Sequence, residues 1–434
     1  MPDPVAAPIL QLIDRWAGVP GCLALSLLNK VLASSMASQA SSEPPRKILF
    51  VKFAEQGSTV LAQSAIRRAG EIVGPENVYF VVFEENRFIL DVLGLVPEEN
   101  VITICRDTFQ ALVKGAIAAL RRIHELKIDT AIDMEFFSRS SAALTWLTRA
   151  PRRIGFHTFF GEGPYRGDLM THRLLYNPYL HTSQIFRQMV EATVQDPEQL
   201  PTFGVIPPAV EPQEPVFVPR PGEADEVRRI LCEAAGGVDP SPLILLNPNA
   251  SDLVPLRKWA TERYVILAKR LLDRFPNAYI AMTGAPNERD SIVSVAQQVC
   301  SPRCFSVAGK TTLRQLMVLY TLSELLVTND SGPAHFAGLT PINVVTLFGP
   351  ETPALFGAPT PRNTPIWTGI SCSPCVNAYN NRQSPCRNNL CMQSISVDRV
   401  FEEAVRSMEA RGLRASGPDS LRETISIPRG LLRK

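Results

Sequence analysis

Leu325-Leu-Val-Thr-Asn-Asp-Ser-Gly-Pro-Ala-His335 reads as a buried strand that ends in three polar residues and turns at once into a helix. Gly332 permits the tight turn, and Pro333 suits the first helical position, where its missing N–H costs nothing. Free backbone N–H groups at such a helix start can meet a phosphate, and the helix dipole favours its negative charge. Asp330, Ser331, Gly332 and His335 would border one spot. Taken alone, the stretch fits an ordinary strand–helix turn with a capping Asp equally well.

The same grammar repeats outward in both directions. Leu243–Leu246, Tyr279–Met282 and Val344–Phe348 are strand-like runs in the same half. The first half offers Ile48–Phe53, Val78–Phe83, Val101–Ile104, Thr130–Asp133 and Arg153–Phe156, with helical stretches Thr59–Ala69, Phe109–Leu126 and Ser138–Leu147. Strands alternating with helices predict an α/β fold with parallel sheets covered on both faces. His157–Pro178 is left as a long loop with glycines and aromatics. Eight prolines in 197–221 predict a stiff linker. At 434 residues the chain is too long for one ordinary core. Two Rossmann-like domains, 46–196 and 222–410, are therefore expected to face each other across a cleft, with ligands at the carboxyl ends of the strands.

Residues 1–45 are expected to be a helical extension and linker, and 411–434 a solvated basic tail. In the extension, Leu12, Ile13 and Trp16, then Leu23, Leu27, Leu28 and Val31 beyond Gly18–Gly21, predict two short amphipathic helices. Packing on the protein's own body explains them; shallow insertion at a membrane, which Trp16 and Arg15 would suit, is the other reading. From Ala33 to Pro45 the chain reads as linker. The apolar run Val19–Leu28 imitates a secretory leader. It lacks the positive charge that leaders carry before it, having Asp3 and Asp14 against Arg15, and it falls short of the roughly 20 residues that span a bilayer. The expectation is a cytoplasmic protein. A net charge of +2 gives no field that would make nucleic acid the main partner.

Two further strand ends carry chemistry. Leu246-Asn-Pro-Asn-Ala-Ser251 leads to Arg257-Lys258-Trp259, two cations before a helix. Cations there run against the helix dipole, which favours an anionic partner; with Asn249 and Ser251 they can neutralise a departing diphosphate without a metal. Thr283-Gly-Ala-Pro-Asn-Glu288 puts a carboxylate where it can hold a ribose, although Glu288 at that position is also a good cap. Gly309-Lys310-Thr311 before the next helix is the weakest of the set.

Arg/Lys-Trp, Thr-Gly-x-Pro-x-Glu, Ala-Gly-Lys-Thr and Asn-Asp-Ser-Gly-Pro-x-His occur here in the order and spacing of glycosyltransferase family 9, the ADP-heptose:lipopolysaccharide heptosyltransferases. Lys47-Ile-Leu-Phe-Val-Lys52 with Gly57, Ile132-Asp-Met-Glu-Phe-Phe-Ser-Arg-Ser140 and Ala150-Pro-Arg-Arg-Ile-Gly-Phe156 extend the resemblance over roughly 46–410. It implies a GT-B fold and inversion at the anomeric carbon without a catalytic cofactor. It also implies an ADP-heptose-type donor on the C-terminal domain and a lipid-linked glycan acceptor, met at the cytoplasmic face of the inner membrane. Family members carry an Asp directly after the glycine of the first loop as general base. This chain has Ser58 there. Glu55, in the same loop, and Glu135 are the carboxylates left for that role, and each fits a solvated loop carboxylate as well. Ser58 and Arg139 are assigned to the acceptor side. A non-catalytic sugar-nucleotide-binding or scaffold protein, descended from such an enzyme, remains the alternative that Ser58 supports.

Nine cysteines are an odd count and no secreted disulfide framework. Cys372, Cys375, Cys386 and Cys391, with turn residues between, suit either a structural zinc or a reduced loop.

Overall fold

In the computed structural model, residues 12, 14–36, 43–161, 163–199, 207–250 and 254–412 are described. Ile13, Ser251, residues 200–206 of the linker and residues 413–434 of the tail lie outside them.

Among the described residues, twelve strands form two six-stranded sheets, paired in parallel throughout. The first contains β1 (Ile48–Val51), β2 (Val78–Phe83), β3 (Val101–Ile104), β4 (Thr130–Asp133), β5 (Arg152–Phe156) and β6 (His172–Leu174) in the order β3-β2-β1-β4-β5-β6. The second contains β7 (Leu243–Asn247), β8 (Tyr279–Met282), β9 (Cys304–Ser306), β10 (Leu325–Asn329), β11 (Asn343–Phe348) and β12 (Asn363–Trp367) in the order β12-β11-β10-β7-β8-β9. Numbered within each half, the two orders are identical, and each reverses direction beside its first strand. A crevice opens at such a reversal point, and it is where ligands bind in open α/β sheets.

The central strands β1, β4, β7 and β10 are buried along their whole length. Covered on both faces, β1, β7 and β10 begin as continuous apolar runs rather than alternating ones. One apolar cluster continues from the first sheet into the second, joining Phe136, Tyr176 and Phe186 to Phe336, Phe356 and Ala378. The halves therefore share a core and are not separate beads.

Four helices frame the rest of the description: α1 (Gly18–Met36), α2 (Gln56–Leu61), α3 (Arg139–Leu147) and α4 (Gly332–Gly338). The extension differs from expectation. The break falls just before Gly18–Gly21, at the Ala17 turn, and from Gly18 α1 runs unbroken to Met36 through the start of the expected linker. Pro20 sits in the first turn, where it removes no intrahelical bond, and the Gly21 N–H bonds to the Ala17 carbonyl at 3.0 Å. Strands β6, β9 and β12 were also not anticipated; each is short or at an edge.

Candidate active site

β1 delivers Lys52, Phe53, Ala54 and Glu55 to the reversal point of the first sheet. The Lys52 side chain is fully buried. Its ammonium stands 3.8 Å from Glu135, which follows β4. The other Glu135 oxygen accepts from the Phe53 and Ala54 N–H groups at 2.8 and 3.0 Å. Glu135 thus braces the first loop from below. Glu55 caps α2 in a left-handed conformation, φ 65°, which a non-glycine residue adopts at a cost of order 1–3 kcal/mol. Ser58, at the position of the family's Asp, donates its hydroxyl to the Glu55 carbonyl and carboxylate at 2.9 and 3.2 Å. It serves Glu55 and does not replace it.

The cation facing Glu55 comes from the other half. Arg382 lies on the loop after β12, also with positive φ. Its guanidinium is 2.5 Å from Glu55 and 3.9 Å from Glu351, above the rings of Phe356 and Phe136. Burial alone would raise the Glu55 carboxyl. Arg382 first, then Lys52 and Arg257 and the Ser58 hydrogen bond, hold it below its ordinary range. The same loop anchors itself on the first domain through the Tyr379 hydroxyl, 2.6 Å from the Tyr176 carbonyl. Sequence reading missed Arg382, Lys52 and Glu351. Lys52 sat in a quoted motif without a role, and no pattern marks an arginine among asparagines between cysteines.

The second reversal point is organised by Asn329. Its carbonyl oxygen accepts from the Trp259 N–H and the Tyr264 hydroxyl, each at 3.2 Å. Its amide nitrogen donates to the carbonyls of Pro248 and Asn249 at 3.2 and 3.0 Å. One side chain therefore ties together the ends of β7 and β10 and the 257–259 segment. Arg257 is buried there, 3.6 Å from Asp330 and in close contact with Glu351. Burial, only partly opposed by Arg257 and reinforced by Glu351, pushes the Asp330 carboxyl upward. His335 is pushed the opposite way, down to about 3, by burial and then by Arg257, His181 and Arg382. It is a neutral imidazole at physiological pH.

α2 and α4 meet across the cleft. A Cβ on Gly57 would lie 2.7 Å from the His335 ring. Gly57→Ala should therefore push the two helices apart at a cost of about 1–3 kcal/mol. The expected readout is a lower unfolding midpoint together with weakened donor binding; a variant indistinguishable from wild type in both would show that the ring yields freely.

Six side-chain atoms around the second reversal point are buried with no hydrogen-bond partner among the described residues: Asn249 Nδ2, Thr283 Oγ1, Arg257 Nε, Asp330 Oδ2, His335 Nδ1 and Glu351 Oε1. Lys52 Nζ is a seventh, on the opposite wall. An unmade buried hydrogen bond costs about 1–3 kcal/mol. A cluster of such atoms at strand ends marks a place built for a polar ligand.

The remaining assigned residues fall into place less evenly. Ser331 is buried and donates to the Asn329 carbonyl at 3.1 Å. Lys258 and Lys310 are exposed and Thr311 is half-buried. Glu288 is engaged as a cap, accepting from the Ala285 N–H at 2.7 Å. Arg139, assigned to the acceptor side, has its guanidinium engaged within the first half. It donates to the Tyr165 carbonyl at 2.7 Å and pairs with Asp14, whose carboxylate also takes the Arg139 and Ser140 N–H groups. The extension supplied this competitor. Among the described residues no group of three His, Cys, Asp or Glu side chains is placed to hold a metal. Cys391 is buried on the Leu390–Gln393 helix, while Cys372 and Cys386 are exposed on the loop.

Residues 117–384 match the family model described as glycosyltransferase family 9 (heptosyltransferase). The chain belongs to glycosyltransferase family 9. It is similar to lipopolysaccharide heptosyltransferase 2 of Salmonella typhimurium, 26% identical over 153 residues, or 35% of this chain and 43% of that one. The alignment thus spans less than half the length of that curated relative. Among solved structures it resembles the family 9 glycosyltransferase of Veillonella parvula, with TM-score 0.64, 18% identity and coverage of 85% of this chain and 98% of that one. It also resembles the ADP-heptose lipopolysaccharide heptosyltransferase II of E. coli, with TM-score 0.61, 19% identity and coverage of 84% and 99%. The family 9 fold, two Rossmann-like halves in the GT-B arrangement, is therefore the fold of this chain. No helix among its described residues is long and apolar enough to cross a membrane.

Proposed function

We propose that this chain is an inverting glycosyltransferase that moves a heptose from a nucleoside diphosphate sugar, ADP-heptose by default, to a lipid-linked glycan of the lipopolysaccharide type. The observation that carries this reading is the set of orphaned polar atoms around Arg257 at the second reversal point. They offer hydrogen bonds and one buried cation to a diphosphate and its sugar. The resemblance to heptosyltransferases supplies the sugar.

In this reading the acceptor hydroxyl attacks the anomeric carbon from the face opposite the diphosphate, and Glu55 takes its proton. The bond from that carbon to the phosphate oxygen breaks with its electron pair. Arg257, already fixed by Asp330 and Glu351, meets the charge that develops on the leaving oxygens. A fixed cation supplies the stabilisation that a divalent metal would otherwise bring. Neutral His335 is suited to a hydrogen bond with donor or acceptor, not to a charge pairing. The acceptor meets the enzyme at the inner face of the membrane.

Thermal-shift screening of nucleotide sugars is the direct test, because a ligand selective for the native state raises the unfolding midpoint by about 2.7 kcal/mol of stability at a hundredfold excess over Kd. ADP-heptose should shift it more than ADP. No shift with any nucleotide sugar would end the donor-site reading.

A second reading rests on the Glu55–Arg382 pair, which already occupies the carboxylate proposed as base. A non-catalytic binding protein would keep that pair closed, bind donor and never turn it over. Structural zinc on the cysteine loop would need about one metal equivalent in protein purified without chelator.

A further inference from the structure

The outer face of α1 is apolar and has no partner among the described residues. Val19, Leu23, Leu27 and Val31 recur every three or four residues along α1 and so lie on one strip, and exposed Leu12 and Trp16 precede it in the helical turn before Ala17. Trp16 is 71% exposed, Leu27 60% and Val31 72%. Single exposed apolar residues are ordinary, whereas a contiguous strip marks an interaction surface.

The helix itself is firmly seated, so the strip is not a fraying end. Cys22 and Leu25 pack on Ala142, Trp146, Leu169 and Met170. Asn29 donates to the Asp168 carbonyl at 2.9 Å and accepts from the Trp146 indole at 2.8 Å. Ser26 accepts from the Asp168 N–H at 2.7 Å.

Charge says what covers the strip. Between Arg15 and Met36 there are two cations, Arg15 and Lys30, and no acid. The neighbouring acid, Asp14, is spent inward on the start of α3. The exposed face is therefore apolar, positively flanked and carries an amphipathic Trp. We propose that α1 lies in the plane of an anionic phospholipid surface and moors the first domain to it. Asp14 sits at the α3 end nearest the cleft, and Asn29 at the other, so Trp16 marks the cleft-side end of the strip. The mooring would hold a lipid-borne acceptor hydroxyl near Glu55; that clause rests on the proposed function, and the mooring does not.

The full chain is sedimented with vesicles of phosphatidylcholine containing phosphatidylglycerol and with phosphatidylcholine alone. It should pellet with the first, with a blue shift of emission that Trp16→Phe abolishes while binding persists. The triple variant Trp16→Ser/Leu23→Ser/Leu27→Ser should lose at least about tenfold in partitioning. Its unfolding midpoint and ADP affinity should stay unchanged, because these side chains face outward. Unchanged partitioning of the triple variant would overturn the proposal, since the basic tail would then carry the binding. A wild type that ignores both vesicles would overturn it too. So would a wild-type dimer that the triple variant dissolves, which would mean that a second copy covers the strip. No donor enters the assay, so failure of the glycosyl-transfer reading leaves the result interpretable.

Discussion

Glu55→Gln should lower turnover by about 10²–10⁴, the usual contribution of a general base, with donor affinity retained. Donor affinity is spared because the orphaned donor-side atoms lie on the other sheet. The pH profile adds a second readout. Arg382 and Lys52 hold the Glu55 carboxyl below its ordinary range, so wild-type activity should persist into acid and fall only beneath the usual carboxylate region. Arg382→Met removes the largest of the groups opposing burial, leaving Lys52, Arg257 and the Ser58 hydrogen bond, and the acid limb should move to higher pH. The sign for stability agrees: a depressed carboxyl contributes stability that is present above its unfolded pKa and lost as pH falls through the folded one. Glu135→Gln is the control. Its amide oxygen can still accept from Phe53 and Ala54, but buried Lys52 loses its charge partner, so the expected cost falls on the unfolding midpoint more than on turnover. Full turnover in both variants with a true acceptor would refute a carboxylate base.

The second large effect is expected at Arg257. Arg257→Met strands Asp330 and Glu351 in a dry environment, and breaking a buried pair in this way costs about 3–5 kcal/mol. The variant should regain part of that stability as pH is lowered. Asp330 already titrates above its ordinary range, and an upward-shifted acid contributes stability at low pH that is lost as pH rises through its folded value. Calorimetry should show diphosphate-containing ligands weakened far more than nucleosides. Equal loss for both classes would make Arg257 purely structural. Lys258→Met should do much less, because that side chain is exposed.

The strands that the sequence announced are those whose side chains are apolar on both faces. Val78–Phe83 and Tyr279–Met282 were legible to the residue because nothing in a continuous buried run competes with the strand reading. β12 was invisible: it is an edge strand carrying Pro365, with Ile366 its one buried side chain. The break expected at Gly18–Gly21 lies instead at Ala17, because punctuation residues in a first helical turn cost little. At the site, motif residues that touch the backbone frame, such as Asn329 and Asp330, were legible from their place at a strand end. Arg382 was not. Its partners are Glu55 and Glu351, so its meaning exists only once two domains have closed. The partner of Arg139 was not legible either, since Asp14 belongs to the extension outside the matched motifs.

Because Arg382 is shared between Glu55 of one half and Glu351 of the other, it acts as an electrostatic latch on the cleft. Parting the two halves would break it. With Arg382 and Glu55 half-buried and Glu351 covered, the latch is partly shielded from counterions; once the halves part, its charges face solvent and are screened beyond about 8–10 Å at ordinary ionic strength. Reclosing is thereby slowed by salt more than opening is. An enzyme limited by product release would then run faster in moderate salt, while one limited by assembly of its closed state would slow.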